Sequence, residues 1–247
     1  MKVYDEKHIK NIAILGAPKS GKTLLAEDML FEAGIIHRRG TIEGKNTVSD
    51  FHEIEQERGN SVFATCLHTE WKDYKINIID TPGFDDFAGE MIASLRVADT
   101  GVIVINAQHG VEVGTQLIWN YVNQFQKPVI FAINQVDHPK SDFDHALASL
   151  KENFGSAVTQ MQYPLTQGEG FCEIIDLLKM VCYRFPMGGG KPEKLPIPAN
   201  EQEKADKLHN ALVEKAAEND EKLMEKFFES GTLDEDEMRA GLKLGMI

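Results

Sequence analysis

Apolar residues gather between Ile9 and Leu15 and give way to Gly16-Ala17-Pro18-Lys19-Ser20-Gly21-Lys22-Thr23, after which Leu24, Leu25, Met29 and Leu30 recur at helical spacing. This order predicts a strand, a glycine loop and a helix. Residues 34–60 mix charge and glycine without a sustained period, which predicts a long mobile loop with only short helical pieces. Residues 61–71 and 75–79, joined across 72–74, have the alternation of an antiparallel hairpin whose second strand ends at Asp80.

Beyond a turn at Pro82-Gly83, the chain predicts a helix over 90–98, a buried strand over 102–105, a helix over 113–125, a buried strand over 129–133 and a helix over 142–153. Short, wholly apolar strands alternating with helices require a mostly parallel sheet covered on both faces. Near residue 156 the texture changes. Residues 157–164, 174–185 and 195–197 are strand-like, with Gly188-Gly189-Gly190 placed as a hairpin tip. Asn200, followed by Glu203, has a capping-box pattern that opens a helix carrying Leu208, Leu212, Ala216, Leu223 and Phe227 near one side. A last short helix is expected from Asp234.

Composition narrows the partners. The 247 residues carry 26 Lys and Arg against 39 Asp and Glu, a formal charge of −13. A basic surface wrapping DNA or coating an anionic membrane is therefore disfavoured. No apolar run exceeds residues 129–133, so neither a membrane span nor a signal-peptide core is expected, and a cytoplasmic location follows. Cys66, Cys172 and Cys182 are an odd set without metal-ligand spacing, and are expected as buried or idle thiols. The eight histidines show no ligand spacing either.

The segment Gly16–Thr23 fits Gly, four residues, Gly-Lys-Thr, between a predicted strand and a predicted helix, which is the context that makes this short motif specific. Gly16, Lys19, Ser20 and Gly21 form the loop whose amides curl around phosphate oxygens. Lys22 adds charge at the β and γ phosphates, and Thr23 offers a hydroxyl to Mg²⁺. In Asp80-Thr81-Pro82-Gly83 the acid can reach the Mg²⁺ shell and the Gly83 N–H can approach a γ-phosphate. Asn134-Gln135-Val136-Asp137 closes the last parallel strand, where Asp137 can accept from guanine N1 and N2. A reader built this way rejects the wrong purine by roughly 10⁴-fold. The nucleotide expected is GTP or GDP with Mg²⁺. The fold expected is α/β, a P-loop NTPase-type, mostly parallel sheet with one antiparallel hairpin strand, followed by a smaller α+β unit.

The run from Asp80-Thr81-Pro82-Gly83 through Ser94-Leu95-Arg96-Val97-Ala98-Asp99, Gly110-Val111-Glu112 and Asn134-Gln135-Val136-Asp137 resembles the nucleotide-binding domain of translation elongation factor G. Residues 170–180, Ile197-Pro198-Ala199 and Leu223-Met224-Glu225-Lys226 are similar to that factor's inserted α+β subdomain. The resemblance implies a GTP-binding domain over 1–156, lacking its closing strand and helix, an inserted subdomain over 157–247, and thus a piece of a longer protein. It also implies the ribosome as partner, reached through the full-length protein, with ribosomal stalk proteins as a further contact, and no DNA or membrane.

Four residues depart from the family pattern. Phe84 replaces the histidine implicated in placing the attacking water, and Gln135 replaces the lysine that packs along the base. Lys19 stands at a loop position usually held by aspartate. Ser61, with Thr65 or Thr47 as fallback, replaces the threonine that meets Mg²⁺. The set is similar to divergent elongation factor G-like paralogues. It implies a ribosome-stimulated GTPase slowed by about 10² to 10⁴-fold at Phe84, with Lys22, Gly83 and Phe84 at the reacting phosphate and Thr23, Ser61 and Asp80 at the metal. The alternatives are a nucleotide-gated ribosome-binding module, a ribosomal protection factor of the same family, or, more remotely, an ATP-using enzyme on the same loop.

Overall fold

The computed structural model describes residues 2–186 and 190–246, so Gly188 and Gly189 of the expected hairpin tip lie outside the described residues. The chain divides into two compact units, Met1–Gln135 and Val136–Ile247. This division precedes the change of texture near residue 156.

The first unit holds a five-stranded sheet. Its strands are β1 (Ile9–Leu15), β2 (Thr65–Trp71), β3 (Tyr74–Asp80), β4 (Thr100–Asn106) and β5 (Val129–Asn134), in the order β2-β3-β1-β4-β5. β1 runs parallel to both β3 and β4, β5 runs parallel to β4, and β2 alone is antiparallel, to β3. The α/β class is as expected. Ile14, Leu15, Ile78, Ile103 and Ile105 are fully buried, which is why the second half of β1 and most of β4 read as apolar runs. Ile14, Ile78 and Val104 pack against Ala26 of helix α1 (Lys22–Glu32), with Leu25 and Met29 beside them. Leu24, counted in the same helical pattern, is exposed.

Because four strands are parallel, their carboxyl ends share one edge. The glycine loop, Asp80, Asn106 and Asn134 follow or end those strands there. The 34–60 segment contains one short helix, α2 (Glu53–Arg58), stopped by Gly59 at φ 67°. Buried carboxylates accept from this segment and the residues after it: Glu27 from the N–H groups of Gly40 and Val48, and Glu55 from those of Val62 and Phe63. Helices α3 (Ala88–Val97) and α4 (Val113–Phe125) complete this unit.

In the second unit, α5 (Phe143–Phe154) is capped by the Asp142 side chain, which accepts from the His145 N–H. Strands β6 (Gln162–Pro164), β7 (Glu173–Asp176), β8 (Val181–Arg184) and β9 (Glu193–Leu195) pair antiparallel in that order. Residues 174–185, expected as one strand-like run, are two strands and a reversal. The Asp176 carboxylate accepts from the N–H groups of Leu178 and Lys179, an Asx turn that apolar content hides.

The Asn200 capping box does not form. Helix α6 (Gln202–Ala217) starts later with no side-chain cap, and Glu201 accepts from the Tyr163 hydroxyl at 3.2 Å. The single long helix expected here is broken, because Asp220 caps a new helix, α7 (Glu221–Ser230), by accepting from the Lys222 and Leu223 N–H groups. Helix α8 (Glu235–Leu244) begins after Asp234, as the sequence predicts, and Asp234 and Glu237 cap it reciprocally. α8 approaches α6 so closely that a Cβ on Gly241 would lie 2.2 Å from the Ala216 carbonyl oxygen. Among the described residues no helix is long and apolar enough to cross a membrane. All three cysteines are free, and Cys66 is exposed where burial was one expectation.

Candidate functional site

The glycine loop leaves β1 at Leu15 and enters α1 through Gly21, whose φ of 93° suits glycine and whose Cβ would lie 2.4 Å from Asn134 Nδ2. Gly16 and Ser20 are buried, and Ser20 Oγ has no hydrogen-bond partner. The Lys19 side chain is exposed. The first amides of α1 and this loop together form the positive concavity that favours an anion.

Lys22 turns back onto the loop, its Nζ donating to the carbonyls of Gly16 and Ala17 at 2.9 Å each. Burial lowers its pKa to about 8, an effect opposed by the negative charges of Asp80, Glu112 and Asp50. Gly83 approaches from the other side, where a Cβ would lie 2.4 Å from Lys22 Nζ and 2.9 Å from the Pro18 nitrogen. Lys22 and Gly83, predicted separately from two motifs, are therefore neighbours.

The residues expected at the metal also converge. Thr23 Oγ1 and Ser61 Oγ are 3.2 Å apart. Thr65 instead donates to the Ser49 carbonyl, and the buried Thr47 hydroxyl accepts from the Asp50 N–H. Asp80 is 1% exposed, and neither carboxylate oxygen has a hydrogen-bond partner of normal geometry. Burial pushes its pKa up to about 6, offset in part by the Ser49 and Thr23 hydroxyls and the Lys22 ammonium. Ser49 Oγ and Asp50 Oδ1 are likewise buried without partners, and burial raises the Asp50 pKa.

Orphaned hard oxygens beside two hydroxyls fit a small divalent cation such as Mg²⁺ that completes its shell with phosphate oxygens and water. Among the described residues no group of three His, Cys, Asp or Glu gathers to hold a metal alone.

On the base side, Asn134 Nδ2 donates to the Ser20 carbonyl at 3.0 Å and Gln135 Nε2 to the Lys19 carbonyl at 2.9 Å. Gln135 Oε1 accepts from Asn106 Nδ2 at 2.8 Å, so its amide is committed at both ends to bracing the loop. Asp137 is exposed in the turn that opens the second unit. Phe84, 40% exposed, lines a cleft of about 460 Å³ with Ala17, Pro18, Asp85, Glu112 and Val113. Its ring offers no proton donor or acceptor there.

Sequence reading missed Ser49, Asp50, Asn106 and Glu112. The first two carried a detectable signal, a Ser-Asp pair inside an otherwise unpatterned loop. Asn106 acts through its side-chain amide on Gln135 and Glu112 through its charge near Lys22, and neither left a signal.

A family model described as the elongation factor Tu GTP binding domain matches residues 7–238. The chain is also similar to a Thermus thermophilus protein known from its crystal structure, with 25% identity and a TM-score of 0.89. That match covers 97% of this chain and 36% of the other, so the chain spans about a third of that protein's length.

Proposed function

The chain belongs to the elongation factor Tu GTP-binding domain family, a guanine-nucleotide-binding family of translational GTPases, and from that premise we propose that it is a divergent elongation factor G-like protein acting on the ribosome in translocation. Its GTP-binding domain spans 1–156, and 157–247 form an inserted α+β subdomain. The partners are the ribosome, met through the full-length protein, and ribosomal stalk proteins, in the cytoplasm.

One observation carries this reading: Lys22, Gly83, the paired Thr23 and Ser61 hydroxyls and a partnerless Asp80 lie together beside the glycine loop. Uncompensated buried oxygens and a buried ammonium cost stability, so their gathering fits a triphosphate and its cation better than a structural role. Binding moves Lys22 from the Gly16 and Ala17 carbonyls onto phosphate oxygens. Asn134 and Gln135 hold the loop in shape, and Asp137 reads guanine. Thr23, Ser61 and Asp80 hold Mg²⁺, which when bound supplies charge neutralisation on the phosphates. In hydrolysis, water attacks the γ-phosphorus, the bond to the bridging oxygen breaks, and GDP and phosphate leave, with Lys22 and the Gly83 N–H stabilising the developing charge.

Phe84 cannot orient the attacking water, which supports slow hydrolysis and favours a second reading: a nucleotide-gated ribosome-binding module in which release rather than chemistry does the work. The two separate in one experiment. Binding of GDP, GTP, ADP and ATP is measured on the intact protein and on Asp137→Ala, and phosphate release is followed with and without ribosomes. Preference for guanine lost in Asp137→Ala supports the site. Ribosome-dependent phosphate release supports the GTPase, and its absence with tight GTP binding supports the module. Equal ATP affinity in the unaltered protein overturns both.

A further inference from the structure

Resting on the reading of this site as a nucleotide and Mg²⁺ cradle, we propose that Glu27 and Glu55 are positioning residues that hold the long loop before β2 so that Ser49, Asp50 and Ser61 stay beside Asp80. Both side chains are among the most deeply buried in the protein, each 1% exposed. Burying a carboxylate is costly unless it is hydrogen-bonded, and both are hydrogen-bonded to the same object. Glu27 Oε2 accepts from the Gly40 N–H at 2.8 Å and Oε1 from the Val48 N–H. Glu55 Oε1 accepts from the Val62 and Phe63 N–H groups at 3.0 and 3.1 Å, and Oε2 from the His52 N–H at 3.3 Å. Val48 immediately precedes Ser49-Asp50, and Val62 immediately follows Ser61. One fastening of each carboxylate, at Val48 and at Val62, therefore lies one residue from the Ser49 or Ser61 hydroxyl.

Glu27 also stands one helical turn beyond Thr23 on α1, the helix that begins at Lys22. The same rigid element thus presents groups to the phosphates and to the loop. Its outer face adds a grip on the loop's Arg39, through Asp28 at 2.8 Å, Glu32 at 3.0 Å and the Phe31 ring, whose centroid lies 4.5 Å from the guanidinium. An acid buried only to fill space would not select backbone N–H groups that flank the site on both sides.

The intact protein and its Glu27→Ala, Glu27→Gln and Glu55→Ala variants, each first shown folded by far-UV circular dichroism, are compared in two ways. Affinity for a fluorescent GDP is titrated in EDTA and in Mg²⁺, and cutting by trypsin at the exposed Arg38, Arg39 and Lys45 is timed without nucleotide. The expected result is an EDTA affinity within about threefold of the unaltered protein, a Mg²⁺ enhancement reduced about tenfold, and loop cutting about fivefold faster. Glu27→Gln keeps the shape but turns one N–H toward a backbone N–H, so it falls between the unaltered protein and Glu27→Ala. Should Glu27→Ala unfold, Glu27→Gln and Glu55→Ala carry the test. Unchanged Mg²⁺ enhancement in folded variants overturns the inference while leaving the nucleotide reading intact. Absence of any Mg²⁺-dependent binding by the unaltered protein overturns the nucleotide reading, and the inference with it.

Discussion

Replacing Asp80 by asparagine removes a buried carboxyl at almost constant volume, and it should stabilise the nucleotide-free protein while weakening its grip on nucleotide. Burial raises the Asp80 pKa from 3.8 to about 6. A carboxyl with a raised pKa binds protons more readily when folded, so its destabilising effect is absent below about pH 3.8, grows through the window from 3.8 to 6, and is complete above it. Two pKa units correspond to about 3 kcal/mol at pH 7.5, and about half of that at pH 5. The raised value already includes the attraction of the Lys22 ammonium, so the expected gain stays at about 3 kcal/mol as an upper bound. Both tryptophans, Trp71 and Trp119, lie in the first unit, so their fluorescence in urea follows the domain that carries the site. Asp80→Asn should raise the urea midpoint at pH 7.5 and do so distinctly less at pH 5, while the Mg²⁺ enhancement of GDP binding falls about tenfold or more. Equal or lower stability at pH 7.5, or a gain that does not shrink at pH 5, would refute the assignment of Asp80 as an uncompensated buried acid.

Two further substitutions probe other links. Phe84→His restores a proton-handling side chain at the cleft beside Pro18, and ribosome-stimulated phosphate release by the full-length protein should rise by about 10²-fold or more. No rise would remove Phe84 from the chemistry. Gly241→Val places a Cβ 2.2 Å from the Ala216 carbonyl oxygen, and α6 and α8 must separate, at a cost of about 1–3 kcal/mol. Calorimetry should show a lowered transition for the second unit, whereas an unchanged one would mean that the helices do not need this close approach.

The first unit was nearly legible in the sequence because the central strands β1 and β4 are buried over much of their length, whereas β2 at the edge is mostly exposed. Ile12 to Leu15 and Ile103 to Ile105 have no solvated side, so they appear as apolar runs whose ends can be read within a residue or two. The second unit was harder for a specific reason. Ala216 and Leu223 are seven residues apart, two helical turns, so the apolar period continues across the break that Asp220 makes by capping α7. Periodicity measures which face is apolar and is blind to a cap within that face. The Asn200 pattern failed in the opposite way, since Glu201 is drawn to the Tyr163 hydroxyl and the helix begins after it.

The site divides along the same physical line. Lys22, Thr23, Asp80, Gly83 and Asn134, all named from the sequence, are brought together because they lie in or beside the loops and strand ends that the parallel order gathers at a common edge. What holds the long loop escaped because its partners are main-chain N–H groups, identical at Gly40, Val48, Val62 and Phe63. Hydrogen bonds of that kind impose a residue type on only one partner. The trace they leave is a charged residue where the pattern requires an apolar one. Glu27 sits between Ala26 and the turn that brings Leu30 to the core, a position that a solvated acid would not occupy. A segment too poor in apolar residues to bury itself must be held by polar groups supplied from its neighbours, so an acid on the core side of the adjacent helix is the signal to look for.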